Sequence, residues 1–116
     1  VDDFFTRTLP HYCQQQIAII DSRCEFLYEK SHFFENSFLV QEGLIDPERF
    51  VPMFGMYGLA EAVNLLCDKA GRNARCGKDE FANQLGCRIS AQLAEFVEST
   101  PVKYGWKQRA MLLVSR

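Results

Sequence analysis

The chain has 116 residues, 47% of them hydrophobic and 24% charged, and these values are typical of a globular rather than a disordered sequence. The net charge is −2 and the basic residues are dispersed, which argues against a nucleic-acid-binding surface. No apolar run approaches the roughly 20 residues that span a bilayer, and the N-terminus lacks the pattern of a secretory signal.

The first part of the chain has the pattern of helices joined by short connections. The stretch DDFFTRTL predicts a short first helix. Pro10 suits the first turn of the next helix, where a missing N–H does no harm. From there apolar residues recur every three or four positions, which predicts an amphipathic helix. Its apolar face comprises Cys13, Ile17, Ile20, Cys24, Leu27 and Tyr28. The pattern leaves open whether this helix breaks near Ser31 or continues to Phe34.

The middle of the chain predicts shorter elements. ENSFLVQEG, residues 35–43, predicts a further helix that Gly43 ends in the left-handed conformation. The tripeptide at 46–48, Asp-Pro-Glu, has the cap, first-turn proline and early acid of a helix start, and Pro52 keeps that helix short. Residues 50–57 mix aromatic residues with glycines and predict a short strand or an extended segment.

Two helices and a loop are predicted in the second half. The first helix runs from Ala60 to Lys69 and is closed by Gly71, and the polar residues 71–79 form a loop. Asp79 then caps a long helix whose apolar face comprises Phe81, Leu85, Ile89, Leu93, Phe96 and Val97.

The end of that long helix and the tail are less regular. Gly86 should cost the helix about 1 kcal/mol relative to alanine, so we expect it to allow close packing against a neighbour. Pro101 stops the helix. The tail from Trp106 to Val114 is compatible with either helix or strand.

The cysteines favour a reducing compartment. There are five, widely spaced and without a Cys-x-x-Cys pair: Cys13, Cys24, Cys67, Cys76 and Cys87. This predicts reduced thiols that pack as small core hydrophobes, and a cytoplasmic protein. Two weaker alternatives are a nucleophile and base formed by Cys13 with His11 or His32, and a zinc site formed by His11, Cys13 and Cys24.

Glu61 is the candidate site residue. It lies in the first turn of the predicted helix from Ala60, where unpaired N–H groups favour an acid, so a structural role is sufficient to explain it. The residues before it are apolar, and Gly55 and Gly58 allow close approach of the backbone. A carboxylate at such a corner can also be desolvated and adjusted for proton transfer.

A family resemblance adds to this interpretation. Residues 4–66, which begin FFTRTLPHYC and end GLAEAVNLL, resemble the central part of the YjjI-type family of glycyl radical enzymes, and so do residues 88–112. The resemblance implies a parent protein about four to five times this length. It also implies a barrel of ten strands wrapped by helices, and a backbone glycyl radical that acts through a loop cysteine. A separate iron–sulfur enzyme that uses S-adenosylmethionine installs that radical anaerobically.

The resemblance also implies what this chain lacks. The family's radical signature does not match Lys103-Tyr104-Gly105-Trp106, and none of the five cysteines matches the loop cysteine. Both radical residues are therefore expected outside the chain, which should be catalytically silent and hold no cofactor. Gly58-Leu59-Ala60-Glu61 is similar to a helix start in anaerobic ribonucleotide reductases, which makes Glu61 a candidate barrel-lining residue with Asn64 as its polar companion.

The resulting prediction is a mainly α segment with one or two short strands, taken from a larger ten-stranded α/β barrel. Residues 1–116 form a single domain or a fragment of the central region of the parent. The expected partners are the remainder of the parent chain and the radical-activating enzyme, together with self-association of the isolated segment. The alternative is a freestanding helical interaction module without chemistry. A segment should expose more apolar surface than such a module.

Overall fold

The computed structural model describes residues 1–114, which are mainly helical with one two-stranded parallel sheet. This confirms the predicted fold class. The main elements, in chain order, are α1 (Leu9–Glu25), α2 (Phe33–Asn36), α3 (Phe38–Gln41), β1 (Met53–Met56), α4 (Leu59–Lys69), α5 (Glu80–Ser99) and β2 (Met111–Val114). Within the described residues, no helix is both long and apolar enough to cross a membrane.

Helix α1 is the central part of one long helical segment. It continues into π-helical turns at both ends, Phe4–Thr8 and Phe26–Lys30. The expected separate first helix is therefore fused to α1, and a π turn ahead of Pro10 is one way for a helix to accommodate a residue that cannot donate a backbone bond. The segment ends at Ser31, which settles the open choice, because His32 adopts the left-handed conformation with φ 53°.

The prediction of one helix over residues 35–43 is wrong. Two single turns, α2 and α3, are separated by Ser37, whose backbone is extended at φ −75° and ψ 123°. The adjacent Asn36 and Ser37 are poor helix formers, since their side chains compete for backbone hydrogen bonds. Gly43 is left-handed as predicted, with φ 72°. The predicted short helix after Asp46 is a 3₁₀ turn, Pro47–Arg49.

Strands β1 and β2 form the sheet, and α4 and α5 connect them. The strands are parallel, with Met53 opposite Met111 and Gly55 opposite Leu113. The sequence pattern did not decide between helix and strand for the tail. The tail contains a strand, preceded by a 3₁₀ turn at Trp106–Gln108. Helices α1 and α5 pack on one face of the sheet, where Phe54 of β1 is buried.

The chain exposes more surface than a compact domain of its mass. Its accessible surface is 8186 Å², whereas a compact monomer of this mass exposes about 6500 Å². Its radius of gyration is 17.9 Å and its longest dimension is 56 Å, compared with an expected radius of about 13 Å. The excess indicates that these elements leave part of their packing surface uncovered.

Candidate functional site at the end of strand β1

The predicted site residue, Glu61, lies just after the corner between β1 and α4. After β1, Tyr57 projects into solvent and is 78% exposed, and Gly58 caps α4 in the left-handed conformation with φ 71°. Glycine suits this position because a Cβ makes left-handed backbone unfavourable. The turn reverses the chain at the carboxyl end of β1, and Glu61 follows as the third residue of α4.

Glu61 lies in the first helical turn as predicted. A β-carbon on Gly58 would lie 3.7 Å from Oε2 of Glu61, so the carboxylate lies close to the helix N-terminus. The unpaired N–H groups there carry partial positive charge and favour an acid. The Glu61 side chain is exposed and makes no hydrogen bond or ion pair with the described residues. Its role as a barrel-lining residue stays a prediction.

Asn64 is not the polar companion of Glu61. Its Oδ1 accepts a hydrogen bond of 2.9 Å from the backbone N–H of Cys76. Asn83 of α5 acts similarly, because its Oδ1 accepts a bond of 2.7 Å from the N–H of Gly77. The two amides hold the loop between α4 and α5, so Asn64 has a structural role that the helical spacing could not indicate.

One face of the sheet beside this corner is uncovered. Phe54 and Met56 are buried on the face that the helices cover. Side chains alternate between faces along a strand, and Met53, Met111 and Leu113 on the opposite face are exposed. The second face is therefore apolar but faces solvent. Sequence reasoning missed it, because a short strand does not reveal which of its faces is covered.

An aromatic cluster was also missed. Tyr28 stacks on Tyr104 with ring centroids 5.3 Å apart and an interplanar angle of 16°, and it contacts the rings of Phe34 and Phe50. The Tyr28 hydroxyl donates a hydrogen bond of 2.6 Å to the carbonyl of Pro47. The cluster joins residues 31–50 to the π turn after α1 and to the tail, so its role is structural.

The cysteines behave largely as core residues. Cys13, Cys24 and Cys67 are buried, as predicted, whereas Cys87 is exposed. Burial raises the pKa of the Cys13 thiol, and burial together with the nearby Asp21 carboxylate raises the pKa of the Cys24 thiol. Both thiols are therefore poor nucleophiles, since the thiolate is the reactive form.

The alternatives that used the histidines are wrong. His11 is exposed and lies 3.2 Å from the Gln15 amide, and His32 pairs with Glu35 at 2.9 Å, so neither orients the buried Cys13. A zinc site formed by His11, Cys13 and Cys24 is excluded, because eleven helical steps place Cys13 and Cys24 about 16 Å apart along the helix. Zinc ligands must all lie about 2 Å from the metal. Within residues 1–114, no group of three His, Cys, Asp or Glu side chains could hold a metal ion.

Gly105 has a structural reason to be glycine. A β-carbon there would lie 2.7 Å from Cδ of Pro52 and 2.8 Å from the carbonyl oxygen of Phe50. That carbonyl accepts a hydrogen bond of 2.8 Å from the N–H of Trp106. Together with its φ of 99°, these contacts make Gly105 a tight packing point against the segment before β1.

Comparison with known proteins decides the family. The family model described as "Glycyl radical enzyme YjjI-like" matches residues 1–115. The chain belongs to the YjjI-like family. It is 81% identical over 112 residues to "Uncharacterized protein YjjI" of Escherichia coli K12, which covers 97% of this chain and 22% of that protein.

A second relative belongs to Haemophilus influenzae. This "Uncharacterized protein" is 33% identical over 98 residues, which is 84% of this chain and 19% of that protein. The chain thus spans about a fifth of the length of both curated relatives. No solved structure matches significantly.

Proposed function

We propose that this chain is part of the barrel wall of a glycyl-radical-type enzyme that carries out anaerobic radical chemistry in the cytoplasm. The family match over residues 1–115 is the observation that carries the proposal. The matched relatives are more than four times as long as this chain, so the segment is one part of a larger protein and has no catalytic activity by itself.

The sheet supports a place in a larger barrel. Within the described residues, β1 and β2 pair only with each other, which leaves both outer edges unpaired. Parallel sheets usually have both faces covered, and exposed strand edges promote association. Here helices cover one face and leave the apolar residues Met53, Met111 and Leu113 in solvent. In a barrel, neighbouring strands would pair with both free edges, the helices would lie outside, and the exposed apolar face would line the covered interior.

Glu61 is proposed to face the interior of that barrel. It follows the carboxyl end of β1, and in parallel α/β folds substrates bind at the carboxyl ends of the strands. Its carboxylate is free of partners among the described residues, unlike Asn64, whose amide oxygen is used by the loop. Glu61 is therefore the acidic group at this corner that remains available for a substrate or a proton.

The radical machinery is proposed to come from the remainder of the parent chain. Gly105 is fixed by packing, and the pKa values of the Cys13 and Cys24 thiols are raised. When present, the glycyl radical supplies the hydrogen-abstracting chemistry, and this chain contributes shape and water exclusion. The partner for activation is an iron–sulfur enzyme that uses S-adenosylmethionine.

The large accessible surface argues against the alternative of a freestanding helical interaction module. The accessible area exceeds that of a compact monomer by roughly 1700 Å², and the exposed apolar side chains lie on the helices as well as the sheet. An independent module would cover most of these side chains itself, because large exposed apolar patches are rare on monomers.

Anaerobic activation of the full-length protein, followed by EPR spectroscopy, tests the function. An organic radical is expected, and an EPR-silent protein contradicts the proposal.

The place of Glu61 is tested by carbodiimide labelling of carboxylates in the full-length protein, read by mass spectrometry. Glu80 is a matched control, since it is also an exposed first-turn acid, on α5. Glu61 should label much more slowly than Glu80. Equal rates would place Glu61 on the outer surface.

A further inference from the structure

The long helical segment formed by α1 and the π turn after it, Phe26–Lys30, carries a second row of apolar side chains besides the row that packs into the core. Tyr12, Ile19 and Phe26 are spaced by seven residues and are 62%, 51% and 56% exposed. Seven residues make nearly two helical turns, so the three side chains lie above one another on one side of the helix. We call this set the outer row.

The outer row lies about 130° around the helix from the buried row of Cys13, Ile17, Ile20 and Cys24, at 100° per residue. A surface helix normally has one apolar face and an opposite polar face. Ser22, Arg23, Phe26 and Leu27 also line a surface groove of about 510 Å³ at the C-terminal end of the outer row. Helix α1 therefore presents a second packing face.

The size of the uncovered surface indicates what covers this face. A standard protein interface buries about 800 Å² of accessible surface on each partner. This is about half of the roughly 1700 Å² of accessible surface by which this chain exceeds a compact monomer. The exposed residues also lie on separate surfaces, since the outer row belongs to the long helical segment and Met111 belongs to the sheet. One contact with a second copy would leave much of this surface exposed, whereas about four-fifths of each relative lies outside the matched region.

We propose that the outer row packs against a helix supplied by the part of the full-length protein outside residues 1–116. Seven-residue spacing favours a helix that runs nearly lengthwise along α1, at a crossing angle of about 20°. Its contact face would be apolar, with side chains that fit between Tyr12, Ile19 and Phe26. The inference rests on the proposal that this chain is part of a longer protein, but it does not depend on radical chemistry.

Hydroxyl-radical footprinting of the unmodified full-length protein tests this inference. Peptides that carry Tyr12, Ile19 and Phe26 are compared before and after unfolding, with the core residue Phe5 as the buried standard. The core of a packed interface is as dense as a protein interior. In the native protein, labelling of the outer row should therefore be roughly tenfold lower than in the unfolded protein, as for Phe5. Labelling that changes less than about twofold would overturn the proposal.

Cross-linking identifies what covers the row. In the full-length protein, p-benzoylphenylalanine at Ile19 should cross-link within one polypeptide to a helix outside residues 1–116. The same substitution at Gln14, on the far side of α1, serves as the control and should cross-link little. A product between two polypeptides, or protection that disappears on dilution to the monomer, would instead assign a second copy and contradict the proposal. The two proposals can fail separately. If the outer row is protected in the full-length protein but no radical forms on activation, this inference holds and the proposed function fails.

Discussion

The backbone of Gly86 in α5 lies against the side chain of Val63 in α4. A β-carbon on Gly86 would lie 3.6 Å from Cγ2 of Val63, which is an ordinary van der Waals distance, and Val63 is fully buried. The glycine predicted to allow close packing is therefore at the contact between the two helices, but it leaves room for one methyl group.

Gly86→Ala should stabilise the α4–α5 pair. The methyl group fits beside Val63, and alanine removes a helix penalty of about 1 kcal/mol, so a gain of about 0.5–1 kcal/mol is expected. Hydrogen exchange on the amides of α4 and α5 in the full-length protein measures it. Gly86→Leu is the contrasting variant and should lose about 1–3 kcal/mol through overpacking. Destabilisation by alanine of more than 1 kcal/mol would show a tighter contact than the structure has.

Gly105→Ala should be strongly destabilising. The methyl group would overlap Pro52 and the Phe50 carbonyl, and the backbone at φ 99° and ψ 178° is a region that only glycine tolerates. A loss of about 2–4 kcal/mol is expected from overlap and strain, read as faster hydrogen exchange in β1 and β2. Gly43→Ala is the control, because a β-carbon at Gly43 meets nothing within 4 Å and only strain remains. Equal effects at the two glycines would refute the packing role of Gly105.

Asn64→Ala should loosen the loop between α4 and α5. Removing the acceptor leaves the N–H of Cys76 without its 2.9 Å partner, at a cost of about 0.5–1.5 kcal/mol. The exchange rate of the Cys76 amide measures this. Asn64→Asp keeps an acceptor oxygen and should retain most of the protection. A Cys76 amide that is unchanged in Asn64→Ala would exclude this hydrogen bond as the support of the loop.

The parts of the fold that sequence predicted are those set by local chemistry. Helices α4 and α5 follow their apolar periodicity, and Asp79 and Gly71 stand at their predicted ends. The Asp79 carboxylate, however, makes no cap bond to α5, because it accepts a hydrogen bond of 2.7 Å from the N–H of Arg75. Ser37 interrupts the helix predicted over residues 35–43, because the side chains of Asn36 and Ser37 compete with the helix for backbone hydrogen bonds. The pairing of Met53 with Met111 joins residues far apart in the chain, so strand propensity could not reveal it.

The candidate site was predicted only in part. The first-turn position of Glu61 follows from the helix start, whereas its proposed surroundings belong to the part of a longer protein that this sequence does not contain. The same reason applies to the uncovered face around Met111. Asn64 was misassigned because same-face spacing on a helix says nothing about a loop that returns to it.

Tyr104 should titrate late and make stability depend on high pH. The nearby Glu29 carboxylate, together with partial burial and further negative charge, raises the pKa of Tyr104 from 10.0 to about 12. The folded state thus favours the protonated phenol. Its stabilising contribution is complete below pH 10 and is lost as the pH rises from 10 to 12.

Spectrophotometric titration of the tyrosines measures this behaviour. Tyr104→Phe should remove the tyrosine that ionises near pH 12 and flatten the loss of stability between pH 10 and 12. Tyr57→Phe, at an exposed position, is the control and should leave that late ionisation in place. Persistence of the late step in Tyr104→Phe would assign it to another tyrosine.

The most direct test of the central claim is the EPR spectrum of the full-length protein after anaerobic activation, prepared with ordinary glycine and with glycine deuterated at Cα. An unpaired electron on a glycyl Cα couples to its one remaining hydrogen, so the ordinary sample should give a doublet that collapses to a single line with the deuterated label. Residues 1–116 alone, treated in the same way, should give no radical. No radical in the full-length protein, or a spectrum that deuterated glycine leaves unchanged, would contradict the assignment of this chain to a functioning glycyl radical enzyme.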